Sequence, residues 1–273
     1  MLRQIDVMTR SGLVLPLQLS GEDNVYAVRE IEGLDPVKAN LVSTSYAGVD
    51  GEQFQAAKRG PRNIKIELDL QPDFSSSTFT DLRNDLYNYF MPKSQIDLRF
   101  YDHTGLYLDI TGVVETFDSP LFEQDPDVQI SLMCYQPDFV DPRMVLLTGN
   151  SVATTVTRDI IYPGTVETGI VFSLLANRDV PAFSLYNTGP DGVPTQLDFA
   201  APLLSGDRLD ISSITGGKAI TLTRAGVSSS YLYGRTAQST WIQFAKGTNH
   251  FRAYVPGDPV PYEIRYGVRY GGL

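Results

Sequence analysis

The last third of the chain is a succession of short runs in which apolar and polar residues alternate, separated by turn residues. Gly206-Asp207 precedes one such run, and Gly216-Gly217 separates it from the next. From about residue 143 onward, strands recur about every 8–12 residues with no helical stretch, a pattern typical of a β-sandwich. This part of the chain is therefore predicted to fold as a sandwich of the jelly-roll kind.

The first half mixes strands with one helix. Asp50-Gly51 indicates a hairpin turn, and the strict alternation of apolar and polar residues in 64–70 indicates a half-buried strand. Thr78 and Asp81 have the spacing of a capping box and predict a helix that ends before Pro92. Two prolines and two aspartates at 137–142 suggest a boundary, so the predicted domains are 1–138 and 143–273.

Charge is distributed unevenly over these two parts. The net charge is −10; residues 1–150 hold 23 acidic and 12 basic residues, whereas residues 151–273 hold 9 and 10. An acidic chain argues against nucleic-acid binding, which needs cations against phosphates. The asymmetry favours two domains with different partners. We expect no membrane insertion, since no apolar run is long enough, and the lack of a secretion signal predicts synthesis in a cytoplasm.

Residues that usually carry catalysis are scarce. Cys134 is the one cysteine, in an apolar strand-like run that predicts a buried thiol, and the two histidines, His103 and His250, belong to no metal-binding or catalytic spacing. Gly216-Gly217-Lys218 is interpreted as a hairpin turn rather than a phosphate-binding loop, because no helix follows. No enzymatic activity, metal or cofactor is expected.

Aromatic residues are concentrated near the C-terminus and allow a second interpretation. A platform of Tyr231, Tyr233 and Trp241 could bind sugars by ring stacking. The favoured alternative is that these rings belong to the core and to an oligomer interface, where Tyr and Trp are also enriched.

Both halves resemble the distal tail protein (Dit) family of long-tailed phages, or siphophages. The resemblance follows the chain in order through Ile31-Glu32-Gly33-Leu34, Gly60-Pro61-Arg62-Asn63-Ile64, the helix 82–92, Gly247-Thr248-Asn249 and the ending 264–271. It implies a mainly β structural protein: an N-terminal β-sandwich with one helix and an extended hairpin, and a galectin-like C-terminal domain. It also implies a homohexameric ring that joins the tail tube protein to the tail-tip hub protein, with the C-terminal domain available to receptor-binding proteins.

Applied to this chain, the resemblance makes residues 46–64 a belt between neighbouring subunits. The residues expected there are Tyr46, Asp50, Phe54, Lys58, Arg59 and Arg62. The three cations would meet acidic surface on the next subunit, and acidic side chains of the first domain would line a channel through which DNA passes without specific binding. The expected location is the virion tail tip. A carbohydrate-binding host-adhesion module remains the alternative function, and a contractile tail remains open.

Overall fold

The computed structural model describes residues 2–19, 25–48, 50–120 and 127–273. The chain divides into two compact units. The first runs to Pro142 and also includes Gly271–Leu273, whereas the second consists of Arg143–Tyr270. The last three residues thus belong to the first unit, which the pattern of the sequence does not indicate.

The first unit is mainly β with one helix. Its elements are β1 (Leu2–Thr9), β2 (Val14–Gln18), β3 (Tyr26–Glu32), β4 (Ala39–Thr44), β5 (Gln53–Arg59), β6 (Arg62–Leu70), α1 (Phe79–Phe90), β7 (Gln95–Asp102), β8 (Tyr107–Asp118), β9 (Asp127–Cys134) and β10 (Phe139–Val140).

Seven of these strands form one antiparallel sheet in the order β2-β1-β7-β8-β9-β6-β3. The outer strands β2 and β3 also contact each other, so the sheet curls around a single core. Strand β6 shows how the sequence builds it: Ile64, Ile66, Leu68 and Leu70 are all buried, as their alternation predicts.

The helix forms as the capping box predicts. The Asp81 amide donates to Thr78 Oγ1 at 3.3 Å, and the Thr78 amide donates to Asp81 Oδ2 at 3.0 Å, which satisfies two amides at the helix start. Leu82, Leu86 and Phe90 form the buried face of α1, which packs against β1 and β6.

The second unit is a sandwich of two antiparallel sheets. Its strands are β11 (Val145–Asn150), β12 (Arg158–Tyr162), β13 (Thr168–Gly169), β14 (Val171–Leu175), β15 (Phe183–Thr188), β16 (Pro194–Phe199), β17 (Arg208–Ser212), β18 (Ala219–Arg224), β19 (Val227–Ser230), β20 (Gln243–Phe244), β21 (Gly247–Tyr254), β22 (Pro261–Tyr266) and β23 (Arg269–Tyr270).

One sheet has the order β11-β22-β14-β17-β18-β19 and the other β12-β21-β15-β16. Phe172 of the first sheet and Phe251 of the second lie 6.1 Å apart between ring centroids in the core that the sheets share. Gly216-Gly217 forms the predicted turn between β17 and β18, with the Gly217 amide donating to the Ile214 carbonyl at 2.9 Å. The predicted mainly β fold class is confirmed in both units.

Candidate functional site: an exposed hairpin and its base

Strands β4 and β5 form a two-stranded ribbon that pairs with no other strand in the described part of the chain. Ala39 lies opposite Arg59 at its base, and Thr44 lies opposite Gln53 near its tip. Almost every side chain on both strands is exposed. An isolated two-stranded hairpin is marginally stable in water, so a ribbon of this kind is expected to have a partner.

Large apolar side chains cover this ribbon. Leu41 is 69% exposed, Val42 is 55% exposed and Phe54 is 63% exposed. Leu41 lies opposite Ala57 and Phe54 opposite Ser43, so both large residues are on the same face, because directly opposed residues of an antiparallel pair share a face. Contiguous exposed apolar residues mark interaction surfaces.

The tip of the hairpin comprises residues 45–52, of which residue 49 is outside the described ranges. Tyr46 donates from its hydroxyl to Gln53 Oε1 at 3.0 Å, and its ring is half exposed. Ser43 donates to the Glu52 carboxylate across the tip. Asp50 and Gly51 lie in the bend, where Gly51 has a φ of 94°, as the Asp-Gly turn signal predicts.

Arg62, predicted to face a neighbouring subunit, is instead buried at the base of the hairpin, with 2% of its surface exposed. Its guanidinium donates four hydrogen bonds to main-chain carbonyls, those of Pro137, Gly33, Asp35 and Gly271. The guanidinium also lies 4.5 Å from the ring centroid of Phe139. The inter-subunit prediction for Arg62 is therefore wrong, because every acceptor of this side chain belongs to its own unit.

The pKa of Arg62 reflects its burial among main-chain carbonyls. Desolvation lowers the pKa of Arg62 from its ordinary value, and nearby Cys134 and Asp138 act in the opposite direction. An arginine remains charged over the whole physiological range. A planar guanidinium can bind several carbonyls at once, which a lysine ammonium cannot do in the same geometry.

Gly33 leaves the space that this arrangement needs. Its φ is 86°, and a Cβ on it would lie 2.0 Å from the Asn63 carbonyl oxygen. The Leu273 amide donates to the Leu34 carbonyl at 3.1 Å beside it. Residues 33–36, the start of β6 and the C-terminal residues are thus tied together beneath the hairpin.

Arg59 is also engaged within its own unit. It binds Asp138 through two hydrogen bonds, of 2.5 and 3.2 Å, and is about one third exposed. Among Lys58, Arg59 and Arg62, only Lys58 has no carboxylate or carbonyl partner within the described ranges. Of the predicted belt, Tyr46, Asp50, Phe54 and Lys58 are on the exposed ribbon.

The outer face of β3, β6 and β9 is acidic. Glu30 lies directly opposite Glu67, and Asp69 lies directly opposite Asp127. Arg29 bridges the second pair, at 2.7 Å from Asp69 and 3.3 Å from Asp127. Arg29 compensates the repulsion in the second pair, whereas like charges in directly opposed positions, as in Glu30–Glu67, destabilise a sheet.

The three residues of the predicted aromatic platform differ in their exposure. Tyr231 is 8% exposed, and its hydroxyl donates to the Pro202 carbonyl at 3.0 Å. Trp241 packs against the core, with the guanidinium of Arg235 5.1 Å from its ring centroid. Tyr233 alone of the three is largely exposed. Tyr231 is thus buried and Trp241 is partly buried, and sugar binding by these three residues remains a prediction.

The described residues show no grouping suited to nucleophilic or metal chemistry. Burial raises the pKa of the Cys134 thiol to about 11, so it stays protonated at neutral pH. His250 contacts Asp159 at 2.6 Å on the surface, without a nucleophile. Within those same ranges there is no cluster of metal-ligating side chains and no helix long and apolar enough to cross a membrane.

Comparison with known proteins agrees with this architecture. Residues 22–120, which include the exposed hairpin and α1, match the family of phage tail protein RIFT-related domains. The first unit thus contains a region similar to a phage tail domain. No curated protein sequence matches this chain significantly.

Among solved structures, the chain is similar to the Dit protein (gp 19.1) of phage SPP1, described as a paradigm of the hub adsorption apparatus in phages that infect Gram-positive bacteria. The identity is 16%, the TM-score is 0.66, and the match covers 97% of this chain and 98% of that one. Two structures of the phage P2 baseplate in its activated conformation, with Ca and with Sr, match at 8% identity and TM-scores of 0.47 and 0.45. They cover 100% and 99% of each chain, respectively.

The resemblance to the distal tail family is thus confirmed, by the tail domain in residues 22–120 and by a Dit-like fold over almost the whole chain. The order of short motifs along the chain predicts this resemblance. The sequence does carry a signal for the burial of Arg62: Arg62 has the same parity as Ile64 and Ile66 in β6 and therefore points inward.

Proposed function

We propose that this chain is a structural tail protein that assembles as a closed homohexameric ring at the tip of a siphophage tail. In this role it joins the tail tube protein to the tail-tip hub protein and has no enzymatic activity. The observation that carries the proposal is the ribbon β4–β5, whose exposed apolar residues lie within the tail domain of residues 22–120.

The ribbon supplies one half of the subunit contact. Cyclic rings with more than two subunits need a heterologous interface, in which one patch meets a different patch of the next copy. Leu41 and Phe54 provide apolar area on one face, and Lys58 provides a free cation against the acidic surface of the neighbour. Arg62 and Arg59 serve this contact indirectly, because they hold the base from which the ribbon extends.

The acidic face of β3, β6 and β9 is proposed to line the channel of the ring. The opposed pairs Glu30–Glu67 and Asp69–Asp127 place carboxylates side by side on this face. A lumen of this charge repels phosphates, so DNA would pass without binding. The destabilising Glu30–Glu67 pair would then favour the passage of DNA at the expense of stability.

The remaining assignments follow from the same proposal. The second unit would hold receptor-binding proteins at the periphery, and the protein would be made in the host cytoplasm and incorporated at the virion tail tip. The functional domains proposed are 1–138 for the ring and 143–273 for docking. These assignments are supported by the Dit-like fold of the chain.

Light scattering with negative-stain imaging tests the ring. The unmodified protein is expected to give a particle of about six times 30.2 kDa with a central hole. The double variant Leu41→Ser and Phe54→Ser should be a folded monomer, whereas Ile161→Ser, which alters a residue 74% exposed in the second unit, should still form the ring. A different subunit number would contradict the hexamer, and a ring that survives the double change would contradict the hairpin interface.

DNA binding by assembled rings tests the channel. Rings of the unmodified protein should not retain DNA at low salt. Rings of the double variant Glu30→Lys and Glu67→Lys should retain it in a salt-dependent way. If rings of this double variant do not retain DNA either, the acidic face does not line the channel.

A further inference from the structure

Strand β19 is the last strand of its sheet in the second unit and pairs only with β18 among the described strands. Arg224 lies opposite Val227 at the start of this pair, and the Tyr231 amide donates to the Ile220 carbonyl at 2.8 Å beyond its end. Because bonds to one neighbour come from every second residue of an antiparallel strand, Ser228 and Ser230 direct their N–H and C=O groups away from β18. Within the described ranges, no residue bonds to these main-chain groups.

The other sheet of the sandwich has its edge strand covered. The Thr240 amide donates to the Gln196 carbonyl of β16 at 2.7 Å, and the Thr236 amide donates to the Asp198 carbonyl at 3.0 Å. The segment 236–240 thus satisfies the outer edge of β16. The chain reaches this segment directly after β19, yet it leaves the edge of β19 open.

Strand β19 also lacks the features that usually protect an edge. Natural edge strands carry charged side chains, prolines or bulges, which hinder the approach of another strand. The sequence of β19 is Val-Ser-Ser-Ser, its register with β18 is regular, and all its side chains are exposed. An edge of this kind is a template for a further strand, because its main-chain groups can bind those of any extended segment.

The surface beside this edge is apolar. Val227 is 70% exposed and Tyr233 is 76% exposed. The ring centroid of Tyr233 lies 4.7 Å from that of Tyr231, the residue that follows β19. Arg224, the charged residue of the hairpin β18–β19, is already bound to both carboxylate oxygens of Asp207. The edge therefore offers main-chain bonds and apolar contacts, and no uncompensated charge.

We propose that β19 accepts an extended, uncharged segment of another protein as an additional strand, with apolar side chains of that segment against Val227 and Tyr233. The proposal rests on the docking role given above to the second unit and specifies the form of the partner. A second copy of this chain is not the expected occupant. Two four-residue strands bury far less than the roughly 1,200 Å² of a stable interface, whereas a larger partner adds contacts of its own.

Fluorescence anisotropy with the full chain tests strand addition. The probe is a labelled peptide of alternating threonine and valine, with a lysine at one end for solubility. The comparison is the same peptide methylated on every amide nitrogen, which keeps the side chains but removes the main-chain donors. The unmodified protein should bind the first peptide saturably and the second not at all. Bound peptide should also slow hydrogen exchange at the amides of Ser228 and Ser230.

Ser228→Pro removes one outward N–H from the edge. Proline is tolerated in an edge strand where its nitrogen faces away from the ladder, so the hairpin should still form. The variant should weaken peptide binding by about tenfold or more, because it loses a main-chain bond and its ring obstructs the approaching strand. Ser228→Ala is the matched control: it keeps the N–H and should bind as the unmodified protein does.

A second pair of variants adds a charge instead. Val227→Lys should abolish binding by protecting the open edge. Val193→Lys, at a residue 57% exposed just before the covered strand β16, adds the same charge and should not. Absence of saturable binding, equal binding of the methylated peptide, or equal effects of the two lysines would overturn the proposal.

The subunit number of Ser228→Pro, measured by light scattering, separates the remaining cases. An unchanged number together with weakened peptide binding supports a foreign segment as the occupant. A lower number than that of the unmodified protein would assign the edge to a second copy and would overturn the proposal. Failure of the unmodified protein to form a hexamer would contradict the proposed ring alone, since peptide binding is measured independently of it.

Discussion

Arg62 Nη2 donates a hydrogen bond to the main-chain carbonyl of Gly271, 209 positions further along the chain, at 2.5 Å. This bond joins the first strand after the hairpin to the end of the sequence. Together with its bonds to Gly33, Asp35 and Pro137, this bond lets one side chain bind main-chain carbonyls of three separate segments.

Replacement of Arg62 is expected to destabilise the first unit strongly. Arg62→Met would leave four carbonyls without their donor, and a buried group left unsatisfied costs about 1–3 kcal/mol. We expect a loss of at least about 3 kcal/mol in the free energy of unfolding, since the four costs are not additive. Urea unfolding measures it, with the exposed Lys65→Met as the control.

Arg62→Lys distinguishes charge from geometry in the same assay. A lysine keeps the charge but cannot direct donors at four carbonyls, so it should recover little of the lost stability. Full recovery by lysine would show that the charge alone matters, against the hydrogen-bonding role described for this residue.

Two glycines with similar backbone angles should respond very differently to alanine. Gly33 and Gly12 have φ values of 86° and 90°, and both should lose about 1–2 kcal/mol from the left-handed conformation. Only at Gly33 would the new Cβ meet a backbone atom, the Asn63 oxygen at 2.0 Å; at Gly12 nothing lies within 4 Å. Gly33→Ala should therefore lower the thermal midpoint clearly more than Gly12→Ala, and equal shifts would refute the steric argument.

The thiol of Cys134 should be unreactive in the folded protein. Its pKa is raised to about 11, so at pH 8 the thiolate is about a thousandfold less abundant than the thiol, and the side chain is fully buried. Ellman's reagent should therefore label nothing under native conditions and one thiol per chain in denaturant. Rapid labelling of the native protein would mean that β9 opens easily.

Asp207 should make the second unit sensitive to acid. Hydrogen bonds from Arg224 and from the Leu204 amide hold the pKa of Asp207 below its ordinary value. A depressed folded-state pKa contributes stability that is present above the unfolded pKa, near 4, and is lost as the pH falls through the folded value. Asp207→Asn should flatten this decline in a series of thermal midpoints from pH 6 to pH 2 (about the range of carboxylate titration), and an unchanged slope would exclude Asp207 as its source.

Local patterns in the sequence account for much of the fold. Thr78 and Asp81 define a helix start because their bonds are made within one turn, and the alternation in β6 depends on neighbours two residues apart. The burial of Tyr231 follows from no local pattern, since its ring packs against Phe199 and its hydroxyl donates to the Pro202 carbonyl, both in another part of the sequence. Charged residues are usually exposed, so the sequence alone predicts Arg62 at the surface, whereas its four acceptors come from distant segments.

The return of Gly271–Leu273 to the first unit also sets an order of events during synthesis. The ribosome completes residues 143–270 before it makes Gly271, so one acceptor of Arg62 is synthesised only after the whole second unit. Until then Arg62 lacks one of its four acceptors, and the nascent chain exposes the ribbon β4–β5 on a base that is not fully hydrogen-bonded. Chains that stop before Gly271 would therefore have a less stable hairpin base, and we expect them to assemble less well than complete chains.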